Sequence, residues 1–143
     1  MKAELGRPIY WNQKDVFEEV NHNSAEVELP FVRFIERDED VSNWLCHFQK
    51  EFNITYNHGK NYDPDFVVET EDTIYLVEVK AEKDLNDPDV IAKKKRGILY
   101  CETVTHWSEA NGYKPWKYLF IPANQIYTNS TFVMIAKKFT VTE

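Results

Sequence analysis

A glutamate and a lysine interrupt the apolar pattern of the most strand-like segment of the sequence. Residues 73–80 (TIYLVEVK) are rich in β-branched and aromatic side chains and predict a buried strand. Glu78 and Lys80 lie two residues apart, so they project from the same strand face as Ile74 and Leu76. Burying a carboxylate or an ammonium is costly unless the charge is paired or binds a metal. This departure from the apolar pattern marks a candidate functional site.

A second carboxylate, Asp65, stands at the start of a strand predicted over residues 65–69. A hairpin joining the two predicted strands would place Asp65 beside Glu78. Two carboxylates and a lysine at one sheet edge suit a hard cation such as Mg²⁺, which prefers oxygen ligands and lowers the pKa of a bound water. Lys80 would orient or deprotonate that water, or stabilise the charge of a phosphoryl transition state. A cross-strand salt bridge without catalytic function is the alternative interpretation of the same spacing.

The strands that would position these residues follow one another closely. Strands are predicted over residues 52–56, 65–69 and 73–80. The short connections between them favour an antiparallel meander. Upstream, an apolar periodicity predicts a helix that begins at about residues 27–29, because Pro30 fits only the first turn of a helix.

A long helix and a further strand complete the predicted core. Asp87 and Pro88 predict the start of a helix that runs to about Ala110. Residues 116–121 predict the next strand, whereas residues 128–138 are apolar but ambiguous between helix and strand. The order of strands, helix and strand predicts an α/β or α+β layer fold.

Length and composition limit the class of protein. The chain has 143 residues, 43% of them hydrophobic and 15% aromatic, which fits one globular domain. With 17 basic and 24 acidic residues its net charge is −7, which counts against a simple nucleic-acid coat protein. The sequence has no apolar run as long as a membrane span, no phosphate loop for ATP and no zinc-type spacing of cysteine and histidine. Two cysteines make no disulfide framework, so we expect a cytoplasmic location and no membrane partner.

The residues of the candidate site resemble a known nuclease signature. Pro64 and Asp65, followed by Glu78, Val79 and Lys80, resemble the motif of the PD-(D/E)xK nuclease superfamily. A longer stretch resembles the C-terminal endonuclease domain of type III restriction enzyme Res subunits. The similar segments are residues 62–70, 75–81, 87–95, 100–101, 114–118 and 121–122.

This resemblance covers roughly residues 24–127 and implies a domain division. Residues 24–143 would form the endonuclease domain, with residues 1–23 as an N-terminal arm or peripheral strand. The implied architecture is the restriction-endonuclease-like fold, in which helices flank a central mixed β-sheet.

The resemblance also implies a reaction, namely Mg²⁺-dependent hydrolysis of phosphodiester bonds in double-stranded DNA, with Mn²⁺ as an alternative cation. Asp65 and Glu78 match the metal-binding carboxylates of the family, and Lys80 matches its catalytic lysine. The first helix often supplies another acidic ligand, for which Glu28 is the candidate. Its rivals on that helix are Glu26 and Glu36. As this chain has no ATP motif, a helicase or ATPase region and a methyltransferase subunit would be its partners in a restriction system.

Basic residues are concentrated near the predicted site. Residues 93–96 (KKKR) span a full helical turn, so at least one of them faces the cleft or the core. We expect Lys93, Lys94 and Lys83 to contact DNA phosphates. The resemblance places Lys93 on the active-site side. A solvated helix turn is the alternative interpretation of this basic run.

Two other functions are compatible with the same residues. One is a non-catalytic module of the same fold for nucleic-acid binding or subunit docking, which the net charge of −7 favours. The other is a Holliday-junction or repair nuclease. The acidic balance further predicts that the isolated domain binds duplex DNA weakly and loses that binding as salt rises.

Overall fold

Helices pack on both faces of a central β-sheet. The computed structural model describes residues 2–4, 8–10, 25–46, 54–62, 64–126 and 130–141. The helices are α1 (Ala25–Glu36), α2 (Pro88–Ala110) and α3 (Phe132–Phe139). The strands are β1 (Lys2–Glu4), β2 (Pro8–Tyr10), β3 (Asn43–Cys46), β4 (Thr55–Tyr56), β5 (Lys60–Asn61), β6 (Phe66–Glu69), β7 (Ile74–Lys80), β8 (Trp116–Pro122) and β9 (Thr140–Val141). Short 3₁₀ turns follow β7 and β8, at Glu82–Asp84 and Ala123–Gln125.

The main sheet has mixed strand directions. Five of the described strands form it, in the order β3-β6-β7-β8-β9. β7 and β8 pair in parallel, whereas the other neighbours pair antiparallel. A parallel pair needs a long crossover, which α2 supplies. The described part of the chain is therefore a mixed α/β structure.

Each face of the sheet packs against a different set of helices. Val77 and Leu119 lie on one face, in a core cluster with residues of α1 and α3. Leu76 and Tyr118 lie on the other face, in a cluster with α2 residues such as Ile98. Successive strand residues point to opposite faces. The parity of a position on β7 therefore decides which helix its side chain meets.

Helix α2 begins and ends as the sequence predicts. The Asp87 carboxylate accepts a hydrogen bond from the Asp89 amide at 2.8 Å, and Pro88 occupies the first helical position. Beyond the last turn, Gly112 adopts a positive φ of 75°.

Among the described helices, α2 included, none combines the length and apolarity needed to cross a lipid bilayer.

Gly97 lets α2 approach β8 closely. A Cβ atom at Gly97 would lie 2.7 Å from Cδ1 of Tyr118 and closer still to Cε1 of that ring. About two turns further along α2, the Thr105 hydroxyl donates to the Trp116 carbonyl at 2.8 Å and accepts from the Trp116 amide at 2.7 Å. These contacts hold the helix against the strand that lies next to β7.

The predicted meander is wrong in its first strand. β6 and β7 form the predicted hairpin, but the other neighbour of β6 is β3 rather than a strand over residues 52–56. Only β4 of that segment is a strand, and it pairs with β5 across a tight turn; residues 52 and 53 lie outside the described residues. Trp44 and Leu45 of β3 are both buried, one in each core cluster. This non-local burial on both faces outweighs the short local alternation that predicted the meander.

Helix α1 begins earlier than predicted. It starts at Ala25 and contains Pro30, instead of beginning at residues 27–29. A proline inside a helix removes one backbone hydrogen bond to the preceding turn. Phe31 and Ile35 are buried in the core. Full burial of a large apolar side chain contributes about 1.5–3 kcal/mol, which offsets the lost bond.

Residues 130–138, the described part of the ambiguous C-terminal segment, form the N-terminal cap and most of α3. The Thr131 hydroxyl accepts a hydrogen bond from the Met134 amide at 3.3 Å, and the Asp38 carboxylate accepts one from the Phe132 amide at 2.7 Å. Two side-chain caps thus begin this short helix, one of them from a distant loop. Beyond the helix the chain returns along β8 as β9. Local periodicity could not predict this arrangement, because both the cap from Asp38 and the strand pairing are long-range.

We expect Gly97→Ala to lower the free energy of unfolding by about 1–3 kcal/mol, because the added methyl group overlaps the Tyr118 ring. At an open helical site the same change stabilises by about 1 kcal/mol, so the sign of the effect is diagnostic. Urea unfolding measures it, with Glu102→Ala at an exposed site of α2 as the control. A stabilised Gly97→Ala protein would contradict the close approach of α2 to β8.

Candidate active site

The start of β6 and the end of β7 bring two carboxylates together. Phe66 pairs with Val77 in the hairpin register, so Asp65 and Glu78 come next on the two strands. The Asp65 amide donates a hydrogen bond to Glu78 Oε2 at 3.2 Å, and the Val79 amide donates one to Asp65 Oδ2 at 3.0 Å. The expectation that the hairpin places Asp65 beside Glu78 is confirmed. Each carboxylate is thus fixed by a backbone amide of the opposite strand.

Glu78 is a buried carboxylate on the α2 face of the sheet. Its side chain is 3% exposed, and the Lys80 ammonium lies 3.5 Å from its Oε1. Burial raises the pKa of Glu78 above its usual value. Three contributions lower the pKa of Glu78 without cancelling the effect of burial: the charge of Lys80, the hydrogen bonds of Asp65 and the charge of Lys93. Lys80 is 26% exposed, so its ammonium connects the buried carboxylate with solvent.

Two tyrosines lie close to this carboxylate inside the core. The hydroxyl oxygens of Tyr62 and Tyr118 are 3.1 Å apart and share a buried hydrogen bond. Burial raises the pKa of both phenols, and the negative charge of Glu78 raises it further. The pair therefore presents neutral hydroxyls near the acidic site. The alternation of Tyr118 with Phe120 along β8 places both on one face of the sheet. The pairing of Tyr118 with Tyr62 was not predictable from this pattern, because the two residues are far apart in the chain.

Lys93 belongs to a small network at the start of α2. Its ammonium lies 3.4 Å from Asp89 Oδ2 and 5.6 Å from the centre of the Tyr56 ring. The Tyr56 hydroxyl donates to Asp89 Oδ1 at 2.9 Å, and this hydrogen bond lowers the pKa of Asp89. The positive charge of Lys93 also lowers the pKa of Glu78. Lys93 thus acts electrostatically on the site while Asp89 and Tyr56 fix its position.

The other predicted DNA contacts are distributed around the site. The Lys94 ammonium lies 4.8 Å from the centre of the Phe120 ring, beside the sheet edge that carries Lys80. Lys83 is exposed on the 3₁₀ turn that follows β7. Arg96 points away from this group, because its Nε donates to the Thr55 carbonyl at 2.8 Å. Within the basic run, Lys94 therefore lies against β8, whereas Lys93 and Arg96 contact β4.

The acidic candidates of α1 have different outcomes. Glu36 is exposed, and one of its carboxylate oxygens accepts a hydrogen bond from Trp44 Nε1 at 2.5 Å. This bond ties α1 to β3 and gives Glu36 a structural role. Glu28 and Glu26 lie on α1, but their side chains fall outside the described residues.

The donor set at Asp65 and Glu78 fits a magnesium ion. Within the described residues, no group of three or more histidine, cysteine, aspartate or glutamate side chains could hold a metal. Mg²⁺ is usually bound through one or two carboxylates, with water and substrate phosphate completing its coordination. Two adjacent oxygen donors, one of them buried, match that pattern. Asp65 and Glu78 would hold the cation.

We expect Glu78→Gln to raise the free energy of unfolding by about 1 kcal/mol at neutral pH in a chelating buffer. The folded state binds the Glu78 proton more tightly than the unfolded chain does, because burial raises its pKa. That contribution to stability is present at acid pH and is lost as pH rises through the folded-state pKa. The neutral amide keeps it at every pH, so the gain should fade on acidification.

Urea unfolding across this pH range tests the effect. The matched control is Glu71→Gln, which changes an exposed glutamate in the same hairpin. A less stable Glu78→Gln protein at neutral pH would mean that the ion pair with Lys80 outweighs the cost of burial.

Comparison with known proteins gives no family for this chain. No protein-family model matches it, and neither a curated protein nor a solved structure does. The resemblance to PD-(D/E)xK nucleases therefore stays a prediction from the sequence.

Proposed function

We propose that this chain is a divalent-metal-dependent deoxyribonuclease domain with a restriction-endonuclease-like fold. The observation that carries the proposal is the joint fixation of Asp65 and Glu78 by the two backbone hydrogen bonds at the end of the β6–β7 hairpin. Lys80 follows on the same strand face, 3.5 Å from Glu78. Two carboxylates and a lysine thus lie at the end of the β6–β7 hairpin, and this set suits metal-assisted hydrolysis of a phosphodiester.

The architecture supports this proposal. The centre of the mixed sheet consists of the β6–β7 hairpin and β8, which pairs in parallel with β7. Helix α2 connects β7 to β8, and helices pack on both faces of the sheet. Ligands of open α/β sheets bind beyond the carboxyl ends of parallel strands. Lys80 and Pro122 are register partners at the carboxyl ends of β7 and β8. The candidate site occupies the corresponding position here.

Each residue has a defined task in the proposed reaction. A cation held by Asp65 and Glu78 would supply an activated water and neutralise charge on the phosphoryl oxygens. Lys80, partly exposed beside them, would bind a non-bridging oxygen and stabilise the added negative charge of the transition state. Lys93 adds a second positive charge close to Glu78. The water oxygen would form the new bond to phosphorus as the water loses a proton to solvent, and the bond to the leaving sugar oxygen would break as that oxygen takes up a proton from solvent.

The proposed partners follow from the resemblance and from charge. A net charge of −7 gives an isolated domain little attraction for DNA. We therefore propose double-stranded DNA as substrate, delivered by a helicase or ATPase region, with a methyltransferase subunit in a type III restriction-like system in the cytoplasm. Mn²⁺ would replace Mg²⁺ at the same oxygen donors.

A second candidate function is a non-catalytic module of the same fold. The ion pair between Lys80 and Glu78 favours it, since a buried carboxylate paired with an ammonium also occurs where no catalysis takes place. The two functions differ in whether divalent cations bind at Asp65 and Glu78.

We expect Asp65→Ala and Lys80→Ala each to reduce Mg²⁺-dependent nicking of supercoiled plasmid by at least about 100-fold. Asp65→Ala removes a metal ligand, and Lys80→Ala removes the positive charge nearest the reacting phosphoryl group. The matched controls are Glu71→Ala and Lys117→Ala, which delete exposed charges of the same signs on the hairpin turn and on β8. Equal nicking by all five proteins, including the wild type, would remove these residues from the reaction.

We also expect Mg²⁺ or Mn²⁺ to stabilise the folded wild-type protein. A ligand that binds only the folded state stabilises it by about 2.7 kcal/mol at 100 times its Kd. Thermal melts with chelator and with increasing Mg²⁺ measure this shift in Tm. Asp65→Asn should abolish the shift, whereas Glu71→Gln should preserve it. An unchanged wild-type Tm at high Mg²⁺ and Mn²⁺ would favour the non-catalytic module.

A further inference from the structure

We propose that an open pocket beside the candidate active site binds one unpaired nucleotide of a DNA strand, adjacent to the phosphodiester that is cut. Two lysines of the pocket would hold the phosphate, and the side chain of Phe139 would pack against the base. The inference rests on the proposed function, which it deepens by assigning a preference for locally unpaired DNA.

The pocket lies between α2, the end of β8 and the C-terminal segment. Its volume is about 520 Å³, within the range of about 300–1,000 Å³ that is typical of small-molecule sites. The lining residues that carry the argument are Asn86, Lys94, Phe120, Pro122, Lys138 and Phe139. They come from elements distant in the chain, so the pocket exists only in the folded protein.

The position of the pocket relates it directly to the candidate site. Phe120 is the register partner of Glu78 on the neighbouring parallel strand, and Pro122 is the partner of Lys80. Neighbouring strands lie about 4.8 Å apart, so the floor of the pocket is one strand away from the two charged residues. A DNA strand with one phosphate at Lys80 would place its next nucleotide over the end of β8.

The charge of the pocket selects an anion. Lys94 and Lys138 both line it, and no acidic residue does so among the described residues. The Lys138 ammonium lies 5.3 Å from the centre of the Phe139 ring and 3.5 Å from Gln125 Oε1. In a chain with a net charge of −7, two lysines in an acid-free concavity are a local reversal of sign. Lysine contacts to phosphate oxygens are the usual means of positioning a nucleic-acid strand.

The aromatic residues distinguish a nucleotide from a simple anion. Phe139 lines the pocket and is half-buried, whereas Phe120 is buried and forms its floor beneath Lys94. Base stacking on an aromatic ring tolerates every base, because each base has a π-face. A base can reach such a ring only when it has left the duplex stack. The pocket therefore suits an unpaired nucleotide and gives no preference for sequence.

Binding of a fluorescein-labelled, single-stranded oligothymidylate to the full chain tests the proposal. Fluorescence anisotropy in a chelating buffer measures the affinity without cleavage. We expect Lys94→Ala and Lys138→Ala each to weaken binding by at least about fivefold, the loss of one charge-assisted contact. Each should also reduce the salt slope by about 0.7. The matched control is Lys137→Ala, an exposed lysine that precedes Lys138 on α3 and does not line the pocket.

A second comparison tests the base contact. Phe139→Leu should weaken binding of the oligothymidylate but leave binding of an abasic strand of equal length unchanged. Wild-type protein should bind the single strand more tightly than the corresponding duplex. Thermal melts of every variant establish that it is folded.

Each of the following binding results would overturn the assignment of this pocket. They are an equal loss for Lys137→Ala and Lys138→Ala, no effect of Phe139→Leu on the oligothymidylate, and displacement of the oligothymidylate by polyglutamate at equal charge concentration. The last would assign the pocket to an acidic protein segment. If nicking persists but Lys94→Ala and Lys138→Ala leave oligothymidylate binding unchanged, the pocket assignment is overturned and the nuclease function is not. Absence of nicking with lysine-dependent binding intact would overturn the nuclease function alone.

Discussion

The register between β6 and β7 is the constraint on which the candidate site depends. The last backbone pair is Phe66 with Val77, and beyond it the Asp65 and Glu78 carboxylates replace carbonyl groups as acceptors for two amides. A slip of one residue would turn Glu78 from the α2 face to the opposite face of the sheet. Val77 and Val79 lie in the other core cluster, so their burial holds the register that places Glu78 correctly.

Two buried glutamates on this sheet show how differently the same side chain can be used. Glu69 lies at the far end of the hairpin, where its carboxylate accepts from Asn43 Nδ2 at 2.7 Å and from Lys114 Nζ at 2.9 Å. Lys114 also donates to the Thr70 carbonyl, which ties the β8 entry to the β6–β7 turn. Glu78 has its ammonium partner at the longer distance of 3.5 Å and is more deeply buried. Glu69 thus connects three segments of the fold through direct hydrogen bonds, whereas Glu78 has a more distant ammonium partner and lies next to Asp65.

The parts of this structure that could be predicted from sequence are those determined by local signals. Strand β7 is rich in β-branched and aromatic residues, and the Asp87 cap with Pro88 sets the start of α2, so both were predictable. The partner of β6 was not, because Trp44 and Leu45 gain their burial from contacts distant in the chain. The start of α1 predicted from Pro30 was wrong for a related reason, because the packing of α1 on the sheet outweighs the helix-breaking effect of this proline. Within the candidate site, Asp65, Glu78 and Lys80 form a short sequence pattern, whereas Tyr62, Tyr118 and Lys138 meet it only through tertiary structure.

The parallel pairing of β7 with β8 has a consequence for the order in which the molecule assembles. The β6–β7 hairpin has a short connection, so its closure costs little chain entropy and the two carboxylates can meet early in folding. β8 joins only after the whole crossover through α2 has closed, and β9 can add only to an existing β8. Long-range parallel pairing of this kind is intrinsically slow. The hairpin should therefore bring Asp65, Glu78 and Lys80 together before Lys94 and Lys138 of the pocket come close to them.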